Sequence, residues 1–95
     1  MDVLDLNITI SCFLRDGLRE YVLQNQKSTI PTLPSGLDFA FLENCSREEG
    51  LARWHTFLQA LADQFDALAG TYSPTQEAVA TAFDGLKKVY QHLWI

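Results

Sequence analysis

His55, His92, the carboxylates Glu48, Glu49, Asp63 and Asp66, and the thiols Cys12 and Cys45 are the side chains whose types and spacing invite chemistry. Two imidazoles can share a metal ion or move a proton near neutral pH. A structural zinc site needs four ligands, however, and Lys88 is expected beside His55, where it would repel a cation. The histidines therefore read as flanking residues on the rim of a helical fold. Paired carboxylates do acid–base work when they line a cleft. Asp63 and Asp66 stand three apart, with Gln59 on the same side, and are expected on a convex, solvated helix face. Neither cysteine belongs to a CxxC pair or has a histidine nearby in sequence, so both are expected to be free and packed as small apolar side chains. There is no glycine-rich phosphate loop, GxSxG elbow, HExxH pair or acidic calcium loop. The expectation is a protein that is not an enzyme, with no cofactor and no metal site.

The elements that must carry these residues are helices. Ser46-Arg47-Glu48-Glu49 has the form of a capping box, in which the serine hydroxyl accepts from the Glu49 amide and the Glu49 carboxylate reaches back. Leu51, Trp54, Leu58, Leu61, Phe65 and Leu68 then recur at three- and four-residue steps, which draws one stripe along a helix. Gly70 is expected to stop that helix as a left-handed C′ residue. Ser73-Pro74 restarts the chain as N-cap and first helical residue, with Gln76 completing a second box. The second stripe is Val79, Phe83, Leu86, Tyr90 and Leu93. Residues 46–93 thus form a helical hairpin. If its turn is centred between Thr71 and Tyr72, facing positions sum to about 143, which sets Leu61 near Ala82 and Phe83 and Phe65 near Ala78 and Val79.

Residues 3–25 support two readings. Leu4, Leu6, Ile8, Ile10 and Cys12 alternate with polar residues, as in a strand over 4–11. Leu6, Ile10, Leu14, Leu18 and Tyr21 also make a helical stripe, with Phe13 and Val22 beside it. A lone strand in a helical chain would leave its edge unpaired, so one long helix is favoured; were the segment extended, dimerisation through that edge would satisfy it. Arg15, Asp16, Arg19 and Glu20 read as i,i+4 pairs on its exposed face. Gln24 to Ser35 reads as a connector, punctuated by Asn25, Pro31, Pro34, Ser35 and Gly36. Ser35 and Asp38 could then cap a two-turn helix carrying Phe39 and Phe41, a plug over one end of the fold. The fold class is all-α: a single domain over 1–95, an antiparallel bundle of three to four helices.

Composition bounds the function. The 95 residues are 47% apolar with eleven aromatics, enough for one core and too rich for disorder. The net charge of −5 is evenly spread: three basic and six acidic residues in 1–45, four and six in 46–95. Lys87-Lys88 is the one adjacent basic pair, so nucleic acid is not an expected partner. A DNA mimic would carry denser acidic charge. Uncharged runs reach ten residues, short of the roughly 18 that suggest a membrane span. Asp2 and Asp5 stand where a secretory signal would carry cations, so the expected location is cytoplasmic.

What remains is protein–protein interaction: an adaptor, inhibitor, antitoxin or immunity-type protein, or small chaperone. It would act by helix-face recognition on another protein or on a second copy of itself. Trp94, Tyr72, Phe39 and Phe41 are the candidate anchors. One alternative is a small apolar ligand or cofactor held inside the bundle by Trp54, Phe65, Phe83 and Tyr90. Another is an enzyme using His55 or His92.

Overall fold

The computed structural model describes residues 6–34 and 39–93. Three helices make the frame: α1 (Leu6–Lys27), α2 (Arg47–Ala69) and α3 (Gln76–Val89). Single 3-10 turns lie at Ala40–Leu42 and Tyr90–His92. The fold is all-α, as expected. Residues 6–11, where a strand was the alternative, are the opening turns of α1; residues 4 and 5 lie outside the described residues. Helix prevails because an isolated strand would find no ladder; of the expected stripe Leu18 is buried, while Leu6 and Ile10 are each 42% exposed.

Ser46 caps α2, its Oγ accepting from the Glu49 amide at 3.2 Å. The Glu49 carboxylate turns toward Arg53, 4.0 Å away, rather than back to Ser46. The α2 stripe is the spine of the core: Trp54, Leu58, Leu61, Phe65 and Leu68 are buried. Gly50 is buried too, and a Cβ there would meet Leu33 at 3.2 Å, so the missing side chain lets the connector close over this end.

Gly70 does not end α2 in the left-handed region. Its φ of −86° and ψ of −3° are right-handed. The last carbonyls are met by the Gly70 amide, which donates to Asp66 O at 3.0 Å, and by the Thr71 hydroxyl, which donates to Ala67 O at 2.7 Å. With those partners in place no positive φ is needed. The second cap also moves. Thr75, not Ser73, caps α3, its Oγ1 accepting from the Ala78 amide at 3.1 Å. Thr75 has its own amide three residues on, and Pro74 precedes the cap instead of opening the helix.

That shift lengthens the turn and changes the pairing. Gly85 faces Leu61, Phe83 meets Phe65 edge-on at 5.2 Å, and His92 reaches Trp54 at 6.3 Å. Facing positions sum to 146–148 rather than about 143. α3 accordingly presents Ala82, Gly85 and Val89 to α2, with Ala82 and Val89 fully buried. The expected stripe Val79, Phe83, Leu86 and Tyr90 is turned to the flank.

α1 runs antiparallel to α2 on its other side and buries Ser11, Leu18, Val22 and Asn25. Arg15 reaches Asp66 at 2.9 Å and Arg19 reaches Asp63 at 3.1 Å. The two aspartates are solvated, as expected, but they pair across helices, and with Arg15 and Arg19 they stitch one exposed edge of the α1–α2 seam. The Arg15 guanidinium is held further into its charged range, chiefly by its hydrogen bond with Asp16 and next by that with Asp66, and Asp16 is lowered in turn by Arg15. α1 and α3 both pack on α2, but their backbones do not approach one another. The fold is long, 45 × 26 × 18 Å, with a cleft between its outer helices.

The 3-10 turn at Ala40–Leu42 plugs one end, with Phe39 and Leu42 buried. The start of the expected two-turn helix, Ser35 to Asp38, lies outside the described residues.

Candidate interaction face

Each outer helix has one edge tied to α2 and one edge left open. On α1 the tied edge carries Arg15 and Arg19. The opposite edge carries Leu6, Ile10, Phe13 and Gly17, which follow three- and four-residue steps of their own, with Leu14 beside them. Phe13 is 76% exposed, and Leu6 and Ile10 are each 42% exposed. On α3 the displaced stripe lies opposite: Phe83 is 40% and Tyr90 74% exposed, with Val79 and Leu86 half-buried. Between the ridges lies an open cleft of about 410 Å³, lined by Phe13, Leu14, Leu18, Tyr21, Leu86 and Leu93. These side chains fill the floor, so an occupant would rest across the ridges.

The four anchors expected from sequence fall in different places. Tyr72, in the α2–α3 turn, is 98% exposed. Phe39 is 7% exposed and packs on Phe41 at 5.4 Å, Trp54 at 5.5 Å and His92 at 5.3 Å. Phe41 is half-buried and stacks on Phe57 at 5.2 Å. Trp94 lies outside the described residues. Tyr72 and the Phe39/Phe41 pair do not converge: one is in the turn before α3, the other at the end where α2 begins and α3 finishes. Of the aromatics expected to hold a ligand, Trp54 and Phe65 are fully buried in the core, while Phe83 and Tyr90 lie on the open face.

The histidines separate as well. His55 is not on the rim beside Lys88; it is buried against α1. The Thr32 amide can only donate, and it lies 2.8 Å from Asn25 Oδ1, which fixes the Asn25 amide. Asn25 Nδ2 then donates to Thr32 O at 3.0 Å and to His55 Nε2 at 2.9 Å. His55 must accept there, so its proton sits on Nδ1. Burial pushes its pKa below the ordinary value of 6.5. The Tyr21 hydroxyl extends the network, 2.7 Å from Thr32 Oγ1 and donating to the His92 carbonyl at 3.1 Å. This network ties the connector and the chain after α3 to α1. His92 itself packs its ring on Phe39.

Among the described residues no group of three or more metal-ligating side chains is close enough to hold an ion, and no helix is long and apolar enough to cross a membrane. The cysteines are free and half-buried, Cys45 donating to Leu42 O at 3.0 Å.

The open face draws on residues that the sequence marked only in part. Phe13 stood beside the α1 stripe, and its spacing with Leu6, Ile10 and Gly17 is the signal that α1 carries more apolar surface than one neighbour covers. Asn25 reads in sequence as part of the connector, but it lies inside α1, which runs to Lys27, because its buried amide pairs with Thr32 and His55; that pairing spans residues whose path the sequence does not fix. No family model, curated protein or solved structure matches the chain.

Proposed function

We propose that this protein works without catalysis, by binding another protein chain through the open face of α1 and α3. The observation that supports this reading is the apolar surface left partly in water on both outer helices, Leu6, Ile10 and Phe13 on α1 and Phe83 and Tyr90 on α3, beside a cleft that Phe13 and Leu86 line. Exposed apolar side chains on helices are what partner helices cover. Tyr72 and the edge of Phe41 lie outside it and serve as secondary contacts at most. In this reading the protein acts in the cytoplasm, as an adaptor, inhibitor or immunity-type protein. The ligand-binding alternative is weaker because Trp54 and Phe65 are already enclosed by protein, and the enzymatic one because His55 Nε2 is engaged by Asn25.

The test is site-specific photocrosslinking in the native cell. A benzophenone side chain is placed at Phe13, at Tyr90, and at Ala60 on the exposed back of α2. The expected result is a defined protein adduct, identified by mass spectrometry, from Phe13 and Tyr90 but not from Ala60. Equal adducts from all three, or none, would refute the reading.

A further inference from the structure

We infer that the occupant of the open face is a second copy of this chain, related by a two-fold axis parallel to the helices. This rests on the reading of that face as an interface and specifies its partner.

The argument begins with levels along the bundle. Arg15 faces Asp66 and Arg19 faces Asp63 across α1 and α2, while Leu61 faces Gly85 and Trp54 faces His92 across α2 and α3. α1 and α3 therefore run in the same direction, and Glu20 and Lys87 stand at one level to within a helical turn. Glu20 lines the cleft from α1, and Lys87 lies beside Phe83 and Tyr90 on α3. The Glu20 carboxylate accepts from Gln24 at 2.7 Å. Neither Glu20 nor Lys87 takes part in an ion pair among the described residues. The face thus has one acidic rim and one basic rim, each without its counter-charge.

A two-fold axis along the helices, midway between two stacked faces, lays α1 of each copy over α3 of the other in the same direction. Glu20 then meets Lys87 of the second copy, twice by symmetry. The same operation sets Phe13 level with Val79 of the other copy, and Phe83 level with its Gly17. A two-fold axis across the helices would instead set α1 on α1 and leave both rims facing like charge. The area is also adequate. Phe13, Phe83 and Tyr90 alone present roughly 400 Å², taking about 200 Å² per aromatic side chain. That is about half of the ~800 Å² per partner in a standard interface, and the aliphatic ridges and rims supply the rest.

Sedimentation equilibrium on the full chain tests this across concentrations from about 1 µM to about 1 mM. Wild type is expected to be a concentration-dependent dimer. Phe13→Ser should weaken it at least ~30-fold, since the residue enters the interface twice. Phe13 is largely exposed, so the helical circular dichroism should be unchanged. Glu20→Lys and Lys87→Glu should each weaken the dimer about tenfold, and the double variant should recover most of that loss. A wild-type monomer throughout the range overturns the inference, while adducts of Phe13 with a different protein would leave the broader reading standing. A dimer indifferent to Phe13→Ser, or a double variant no tighter than either single one, overturns it equally.

Discussion

Replacing Asn25 with alanine removes the centre of the only extensively bonded buried amide network among the described residues. Asn25 is fully buried; its Nδ2 donates to Thr32 O and His55 Nε2, and its Oδ1 accepts from the Thr32 amide and hydroxyl. The variant takes from the enclosed His55 Nε2 its Asn25 donor. A buried polar group that loses its partner costs about 1–3 kcal/mol, and a loss of that order is expected. The network also sets a pH dependence. His55 must be neutral to accept from Asn25, and its pKa is lowered by burial. Above the unfolded value of 6.5 both states are neutral there, and the contribution is fully present. As pH falls below 6.5 the unfolded chain takes up a proton that the folded chain refuses, and stability declines until the folded pKa is reached, with a slope of at most about 1.4 kcal/mol per pH unit. Urea unfolding of wild type, Asn25→Ala and His55→Gln at several pH values from about 5 to 8 measures both effects. His55→Gln keeps an acceptor for Asn25 but cannot titrate, so its stability should fall less steeply with acid than that of wild type. An Asn25→Ala loss below about 1 kcal/mol, or identical pH profiles for wild type and His55→Gln, would refute the reasoning.

Other substitutions test the packing. Leu61→Ala, in the centre of the α2 stripe, should lose roughly 2–5 kcal/mol in chemical denaturation. Gly85→Ala places a Cβ 2.7 Å from Leu61 Cδ1, whose side chain is already enclosed; overpacking of about 1–3 kcal/mol should outweigh a helix-propensity gain of about 1 kcal/mol, and the melting temperature should fall. Gly17→Ala has open space around its Cβ in the interior of α1 and should raise the stability of the monomer by about 0.5–1 kcal/mol. Gly70→Ala meets nothing closer than 3.6 Å at a right-handed φ, so its melting temperature should stay within a degree or two of wild type, which a left-handed C′ glycine would not allow.

Local signals in the chain were sufficient for its local structure. The Ser46 hydroxyl lies three residues from the amide it caps, and the α2 stripe repeats within one helix, so neither depends on the remote chain. The same holds for the helical character of residues 6–11, where pattern alone allowed two answers and the lack of a second strand decided between them. What tertiary structure decided was azimuth. Thr75 took the cap from Ser73, the turn lengthened, and α3 settled about three residues out of the expected pairing. Each residue of slip rotates a helix by about 100° relative to its partner, so a small change in a turn selects a different face. It put Ala82, Gly85 and Val89 against α2 and left Phe83 and Tyr90 in the open. The packing of α1 on the other side of α2 likewise gave Asp63 and Asp66 their arginines and enclosed His55 with Asn25. Those pairings join residues 30 to 51 positions apart, across turns whose length sets the register, so helix periodicity could mark each stripe but not its partner.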